Sequence, residues 1–231
     1  MFVRDRMTPN PISIDEDVSV LEALDIMRRH QVRRLPILRQ GRLVGIVTEM
    51  DLMRVSPSPA TSLSIFEMNY LLTQMKVKQV MAKEVVTVSP DTTIEEAAVL
   101  MREHAIAGLP VLENGRLVGI VTETNLFDAF VDMMGLRRPG SRLTVEVEDR
   151  PGQLAEITRI ISEAGVNIIG IASLPPDQVG SVPSPPGQNL NSPTHGRGQL
   201  VLRLATTDPD PLVRQLQQHG FPVVHVVVQA G

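Results

Sequence analysis

Apolar and polar positions along the chain recur in two copies of one pattern. In the first copy Val20, Ala23, Leu24 and Met27 fall at helical spacing, and Ser19 stands three residues before Glu22, the capping-box signature of a helix start. In the second, Ile94, Ala97, Ala98 and Met101 follow Thr93 and Glu96 in the same way. Each helix is preceded by a short extended stretch, residues 11–14 or 85–88. Each is followed by two apolar runs, 35–38 and 43–47 or 109–112 and 117–121, split by a turn at Gln40-Gly41 or Asn114-Gly115. A second helix is predicted to open at Thr48 and at Thr122, so the unit reads β-α-β-β-α.

The copies align without a gap at an offset of 74 residues, from Met7 against Met81 to Leu52 against Leu126. Residues 35–52 and 109–126 are identical at 13 of 18 positions, which establishes an internal duplication. A unit of about 50 residues with one apolar sheet face is marginal alone, whereas two copies can cover each other's open face as a pseudo-twofold module. Pro57 and Pro59 mark a break between them. The apolar stretch 65–75, with Tyr70, Leu71 and Leu72, predicts a connecting helix.

Beyond residue 135 the pattern changes. Leu143, Val145 and Val147 alternate with polar residues as in a half-buried strand, and Leu154, Ile157, Ile161 and Ala164 form a helical stripe closed by Gly165. Residues 167–174 and 200–205 read as strands, 211–219 as a short helix and 221–228 as a last strand. The resulting β-α-β-β-α-β order is that of a ferredoxin-like domain. Six Pro and four Gly fill residues 175–198, too little apolar bulk to offset ordering, so a mobile excursion is expected there.

Composition narrows the function classes. Only 3% of residues are aromatic and none is Trp, so the cores must be aliphatic; the absence of Cys removes disulfides, thiolate metal sites and Cys nucleophiles. The 22 basic and 26 acidic residues give a net charge of −4 with no basic surplus for phosphate backbones, and no apolar run reaches the length of a spanning helix. A cytoplasmic protein without nucleic-acid or membrane partners is expected. No Walker loop, dinucleotide fingerprint, nucleophile elbow or zincin helix occurs, so neither an enzyme nor a catalytic cofactor is expected, and no metal site is expected either. His30 and His104, each following a helix, suit a C-terminal cap.

The repeated Gly-Ile-Val-Thr-Glu-X-(Asp/Asn) places Thr48 and Asp51, and Thr122 and Asn125, at strand-to-helix junctions. Amide N–H groups there could hold a phosphate while Asp51 accepts from ribose hydroxyls; equally, Thr48 and Asp51 could form a capping box. Arg33 and Arg34 have Ala107 and Gly108 as counterparts. They either face a cleft and neutralise a phosphate, or are solvated or bridged to acids such as those at 15–17.

The duplicated Leu-Pro-(Ile/Val) and Gly-Arg-Leu-Val-Gly-Ile-Val-Thr motifs with a terminal Asp or Asn resemble a tandem pair of cystathionine-β-synthase (CBS) motifs, a Bateman module. Residues 142–228, with Asp149-Arg150-Pro151-Gly152 and Gly165-Val166-Asn167-Ile168, resemble an ACT domain. The order of two CBS motifs, a connecting stretch at 65–72 and an ACT domain is similar to the AcuB-type acetoin-utilisation proteins. The resemblance implies an α/β (α+β) fold: CBS repeats at 1–60 and 77–135, a connecting helix at 61–76, a linker at 136–141 and an ACT domain at 142–229.

It further implies a regulatory cleft for an adenosine nucleotide (AMP, ADP or ATP). Thr48 with Asp51, and Thr122 with Asn125, would serve phosphate and ribose; Ile12, Val32, Val86 and Ile106 would surround a base, and Arg33 and Arg34 would meet phosphate. Asn125 in place of Asp lacks the charge-assisted acceptor. In the ACT part the resemblance places an effector near Asp149, Gly152 and Asn167, where a tight Pro-Gly turn is the simpler account of the first two. A homodimer and a metabolic enzyme partner complete the expectation of a non-catalytic sensor. The rival is a protein-interaction scaffold with vestigial nucleotide pockets.

Overall fold

A computed structural model describes residues 1–55, 64–176 and 197–229. The proposed excursion at 175–198 lies almost wholly outside the described residues, as do Pro57 and Pro59. The chain divides into two compact units, Met1–Ala129 and Phe130–Gly231.

In chain order the first unit holds β1 (Thr8–Pro9), β2 (Ile14–Asp15), α1 (Val20–His30), β3 (Arg34–Arg39), β4 (Arg42–Thr48), α2 (Glu49–Val55) and α3 (Ile65–Gln74). It continues with α4 (Ile94–Glu103), β5 (Gly108–Glu113), β6 (Arg116–Thr122) and α5 (Glu123–Met133), the last running on into the second unit. Both long helices start where the capping residues predicted: the Ser19 hydroxyl accepts the Glu22 N–H and the Thr93 hydroxyl accepts the Glu96 N–H. Gln40, Gly41, Asn114 and Gly115 all take positive φ, as a two-residue hairpin turn requires.

The two repeats exchange their first segments. The sheet of the second repeat has the order β1-β6-β5, so its outer strand comes from residues 8–9, paired with Ile120 and Gly119. Reciprocally, Ala82 bridges Ile46 of β4 through two backbone hydrogen bonds of 2.9 and 3.0 Å. The exchange extends into the cores. Val3 is fully buried in the second repeat's cluster with Ile94, Met101, Leu109 and Val121; Val77, its counterpart 74 residues on, is fully buried in the first repeat's cluster with Val20, Met27, Leu35 and Val47. Each half thus supplies a strand edge and a core residue to the other.

The expected stripe of the second repeat needs one correction. Ala98 is exposed, whereas Leu24 at the equivalent position is buried. Leu72 of α3 joins the first repeat's core, while α5 gives Leu126 and Ala129 to the second repeat's cluster.

The second unit contains β7 (Gly140–Glu148), α6 (Gln153–Glu163), β8 (Ile168–Leu174), β9 (Arg197–Leu204), α7 (Asp210–Gln218) and β10 (Val223–Gln229). Its antiparallel sheet has the order β10-β7-β9-β8, the ferredoxin-like arrangement. Leu143, Val145, Leu202 and Leu204 pack against Ile157, Ile160 and Ile161 of α6 and Leu212 and Leu216 of α7. Burial on α6 therefore begins one turn later than the predicted stripe: Leu154 is exposed and Ile160 takes its place in the core. Gly165 follows the helix at φ 70°, as expected of a C′ residue. Buried Arg203 ties the entry and exit of the unit together, donating from Nη2 to the Arg138 carbonyl (2.5 Å) and to Gln229 Oε1 (2.7 Å).

Candidate ligand cleft of the repeat pair

The strand exchange decides which residues meet. A cavity of about 480 Å³ in the first unit brings Ile12, Val32, Arg33 and Arg34 of the first repeat together with Thr122 of the second. Thr8 and Asn10 join them because β1 pairs with β6, and Pro11, Gln31, Ala107, Ile120, Glu123 and Thr124 complete the wall. Sequence reasoning missed these eight. Thr8 and Asn10 belong to a segment too short to show a period, and its crossing to the other repeat leaves no local signal. Thr48, Asp51, Val86, Ile106 and Asn125 do not line this cavity. Val86 and Ile106 pack instead against the second repeat's core.

The junction motifs resolve toward capping. Asp51 Oδ2 accepts from the Thr48 N–H (2.9 Å) and the Thr48 hydroxyl (2.7 Å), and the Asp51 N–H returns to the Thr48 hydroxyl (3.2 Å). Asn125 Oδ1 accepts from the Thr122 N–H and hydroxyl, both at 2.8 Å. The next amides are also taken: Glu49 N–H donates to the Arg33 carbonyl (2.9 Å) and Glu123 N–H to the Ala107 carbonyl (3.3 Å). The expectation of free amides is therefore corrected at Thr48, Glu49, Asp51, Thr122 and Glu123, whose N–H groups meet acceptors of the chain itself. Asp51→Ala is expected to lower thermal stability by about 1 kcal/mol through the lost cap, whereas Asp51→Asn, which reproduces the Asn125 arrangement, should stay within about 0.5 kcal/mol in a melting experiment.

The cationic groups are placed differently from each other. Arg33 is exposed at the rim. Arg34 is half-buried, and its Nη1 reaches across to donate to the Ala107 carbonyl. That path exists because residue 108, the counterpart of Arg34, is glycine: a Cβ there would lie 2.0 Å from Arg34 Nη1. Burial holds the Arg34 guanidinium below its ordinary pKa, with Glu123 opposing that shift and Arg33 adding to it. It remains charged at neutral pH. The cleft thus combines an apolar slot, several hydroxyl and amide groups, and two guanidiniums.

In the second unit the three predicted effector residues do not converge. Asp149 and Gly152 lie before α6, where Gly152 takes φ 95° as N-cap residue, while Asn167 follows the helix. Eleven helical residues separate them, about 16 Å. Asn167 lines a shallow depression with Thr158, Ser162, Gly165 and Val166. Among the described residues no group of three or more His, Asp or Glu side chains could hold a metal ion, and no helix is long and apolar enough to cross a membrane.

Comparison with known proteins follows these boundaries. The CBS domain profile matches residues 3–58 and 77–132, and the ACT domain profile matches residues 141–183. The CBS domain-containing protein YhcV of Bacillus subtilis is 32% identical over 143 residues, covering 62% of this chain and 92% of YhcV. The chain belongs to the CBS-domain family. Two solved CBS structures are also similar: CBSX2 in complex with AMP (28% identity, TM-score 0.48, 59% of this chain and 98% of that one), and the CBS domain pair of protein MJ0100 with 5′-methylthioadenosine and S-adenosyl-L-methionine (27%, 0.47, 56% and 95%). In this CBS protein, a tandem pair is followed by an ACT-like domain of ferredoxin-like topology, and both are regulatory, non-catalytic modules.

Proposed function

We propose that this CBS protein is a regulatory sensor that binds an adenosine nucleotide, AMP, ADP or ATP, in the cleft between Ile12, Val32 and Thr122. The observation that carries this reading is the composition of the cleft: an aliphatic slot for a flat base, hydroxyl and amide groups for a sugar, and Arg33 and Arg34 for phosphate, all facing about 480 Å³. The ACT unit then mediates self-association or takes a second small effector. Support for a homodimer comes from the exposed Met50 and Met53 of α2 and Phe127 of α5, at junctions related by the duplication. An AcuB-type role, acting on a metabolic enzyme of acetoin use, is supported by domain order alone.

One observation favours the scaffold reading instead: the amides of Thr48, Glu49, Thr122 and Glu123 and the carboxylate of Asp51 are engaged within the chain. Calorimetry with AMP, ADP, ATP and S-adenosylmethionine separates the two. The sensor requires saturable binding of at least one, with amide shifts at Ile12, Val32 and Thr122 on titration; absence of binding by all four supports the scaffold.

A further inference from the structure

We infer that the two clefts of the pair are unequal, and that only the one lined by Arg33 and Arg34 accepts a phosphorylated ligand, giving one phosphorylated adenosine nucleotide per chain with Arg34 as its specificity determinant. The inference rests on the proposed nucleotide reading and narrows it to one site and one ligand class.

The duplication makes the comparison direct, because each wall position of the described cleft has a counterpart 74 residues away. The backbone around the counterpart is built alike: Glu49 N–H meets the Arg33 carbonyl as Glu123 N–H meets that of Ala107, and Ala82 pairs with Ile46 as Thr8 pairs with Ile120. The side chains differ in charge. Arg33 and Arg34 become Ala107 and Gly108, Asn10 becomes Glu84, and Gln31 becomes Ala105. Glu123 and Glu49 occupy equivalent positions and so do not discriminate. One cleft therefore offers two guanidiniums against the single carboxylate of Glu123, while the counterpart positions offer one, Arg33 in the place of Ala107, against the two carboxylates of Glu49 and Glu84.

Arg34 also spans the seam between the repeats. A guanidinium carries five donors, and one of them is held by the Ala107 carbonyl. This bond aims the fork while leaving other donors to meet a phosphate, so part of the ordering cost of a long side chain is met before the ligand arrives. Two arginines could not occupy this place, because the space of a side chain at 108 is filled by Arg34 itself. The asymmetry is thus a packing requirement of the seam as well as a difference in charge.

The test is calorimetry of the whole chain with ADP and with adenosine, on the parent protein and on Arg34→Gln, Arg33→Ala and Gly108→Ala. The parent should bind one ADP per chain, about tenfold or more tighter than adenosine. Arg34→Gln should remove most of that preference, with the circular dichroism melt of the variant reporting an intact fold. Arg33→Ala, at an exposed position, should reduce it less, and Gly108→Ala should reduce it by pushing the guanidinium off the carbonyl. Two ADP per chain, or an unchanged ADP-to-adenosine ratio in Arg34→Gln, would overturn the inference and leave the sensor reading standing. Failure of both ligands to bind would overturn this inference, and the sensor reading falls with it only when AMP, ATP and S-adenosylmethionine also fail to bind.

Discussion

Removal of residues 1–10 is expected to unfold the second CBS repeat, although those residues belong to the first in chain order. Val3 contributes a fully buried side chain to the second repeat's core, about 2 kcal/mol of burial. The same segment donates Val3 N–H to the Thr92 carbonyl, Arg4 N–H to that of Pro90 and Asn10 N–H to that of Val118, and it forms the outer strand of the β1-β6-β5 sheet. At about 1 kcal/mol for each hydrogen bond left unmade, the total exceeds about 5 kcal/mol, comparable to the whole stability of a typical domain. Circular dichroism on heating should show the cooperative transition of the CBS pair lost or shifted below physiological temperature. Val3→Ala should reproduce a part of this, about 2 kcal/mol, and Val77→Ala should do the same to the first repeat. A truncated chain that melts like the parent would show that the exchange does not hold the pair together.

The second large effect is expected at Gly140, the first residue of β7. A Cβ at this position would stand 2.2 Å from the carbonyl oxygen of Leu204, and φ is 156°. The obstacle is backbone rather than the end of a flexible side chain, so β9 itself must move, although its Leu202 and Leu204 are fully buried in the ACT core. Gly140→Ala should therefore cost about 3 kcal/mol. For a unit of this size that corresponds to a fall in melting temperature of at least about 12 °C in the ACT transition. Gly108→Ala presents a similarly short contact, but against the end of Arg34, and should change stability far less while altering ligand preference.

Much of this architecture can be read from local pattern. Ser19 and Thr93 announce their helices because an N-cap is a three-residue relation, and the Gln40-Gly41 and Asn114-Gly115 turns follow from left-handed backbone at adjacent positions. The alternation of Leu143, Val145 and Val147 gives the inner face of β7 directly. The exchange of the first segments is not legible in this way. Thr8 and Pro9 form a strand of two residues with no periodicity, and the partner that makes them a strand lies more than a hundred residues away. The same distance hides the cleft. Ile12 and Val32 were recognisable as candidates, yet their meeting with Thr122 rather than Thr48 depends on the crossing of the chain.

Capping also competed with binding in the sequence. Thr48 and Asp51 have the residue types and the spacing for either, and only the hydrogen bonds of 2.7 to 3.2 Å decide that their local partners are each other. Arg34 shows the opposite case. Its counterpart Gly108 was visible as a simple difference between repeats, but that the glycine makes room for the arginine follows only from their contact at the seam.

The most direct measurement is a crystal structure of the full chain grown with ADP. The account predicts one nucleotide per chain, with the base between Ile12 and Val32, the sugar beside Thr122 and the phosphates against Arg33 and Arg34. Nucleotide bound beside Thr48 and Glu84 with the arginine-lined cleft empty, or no nucleotide at saturating ADP, would contradict it.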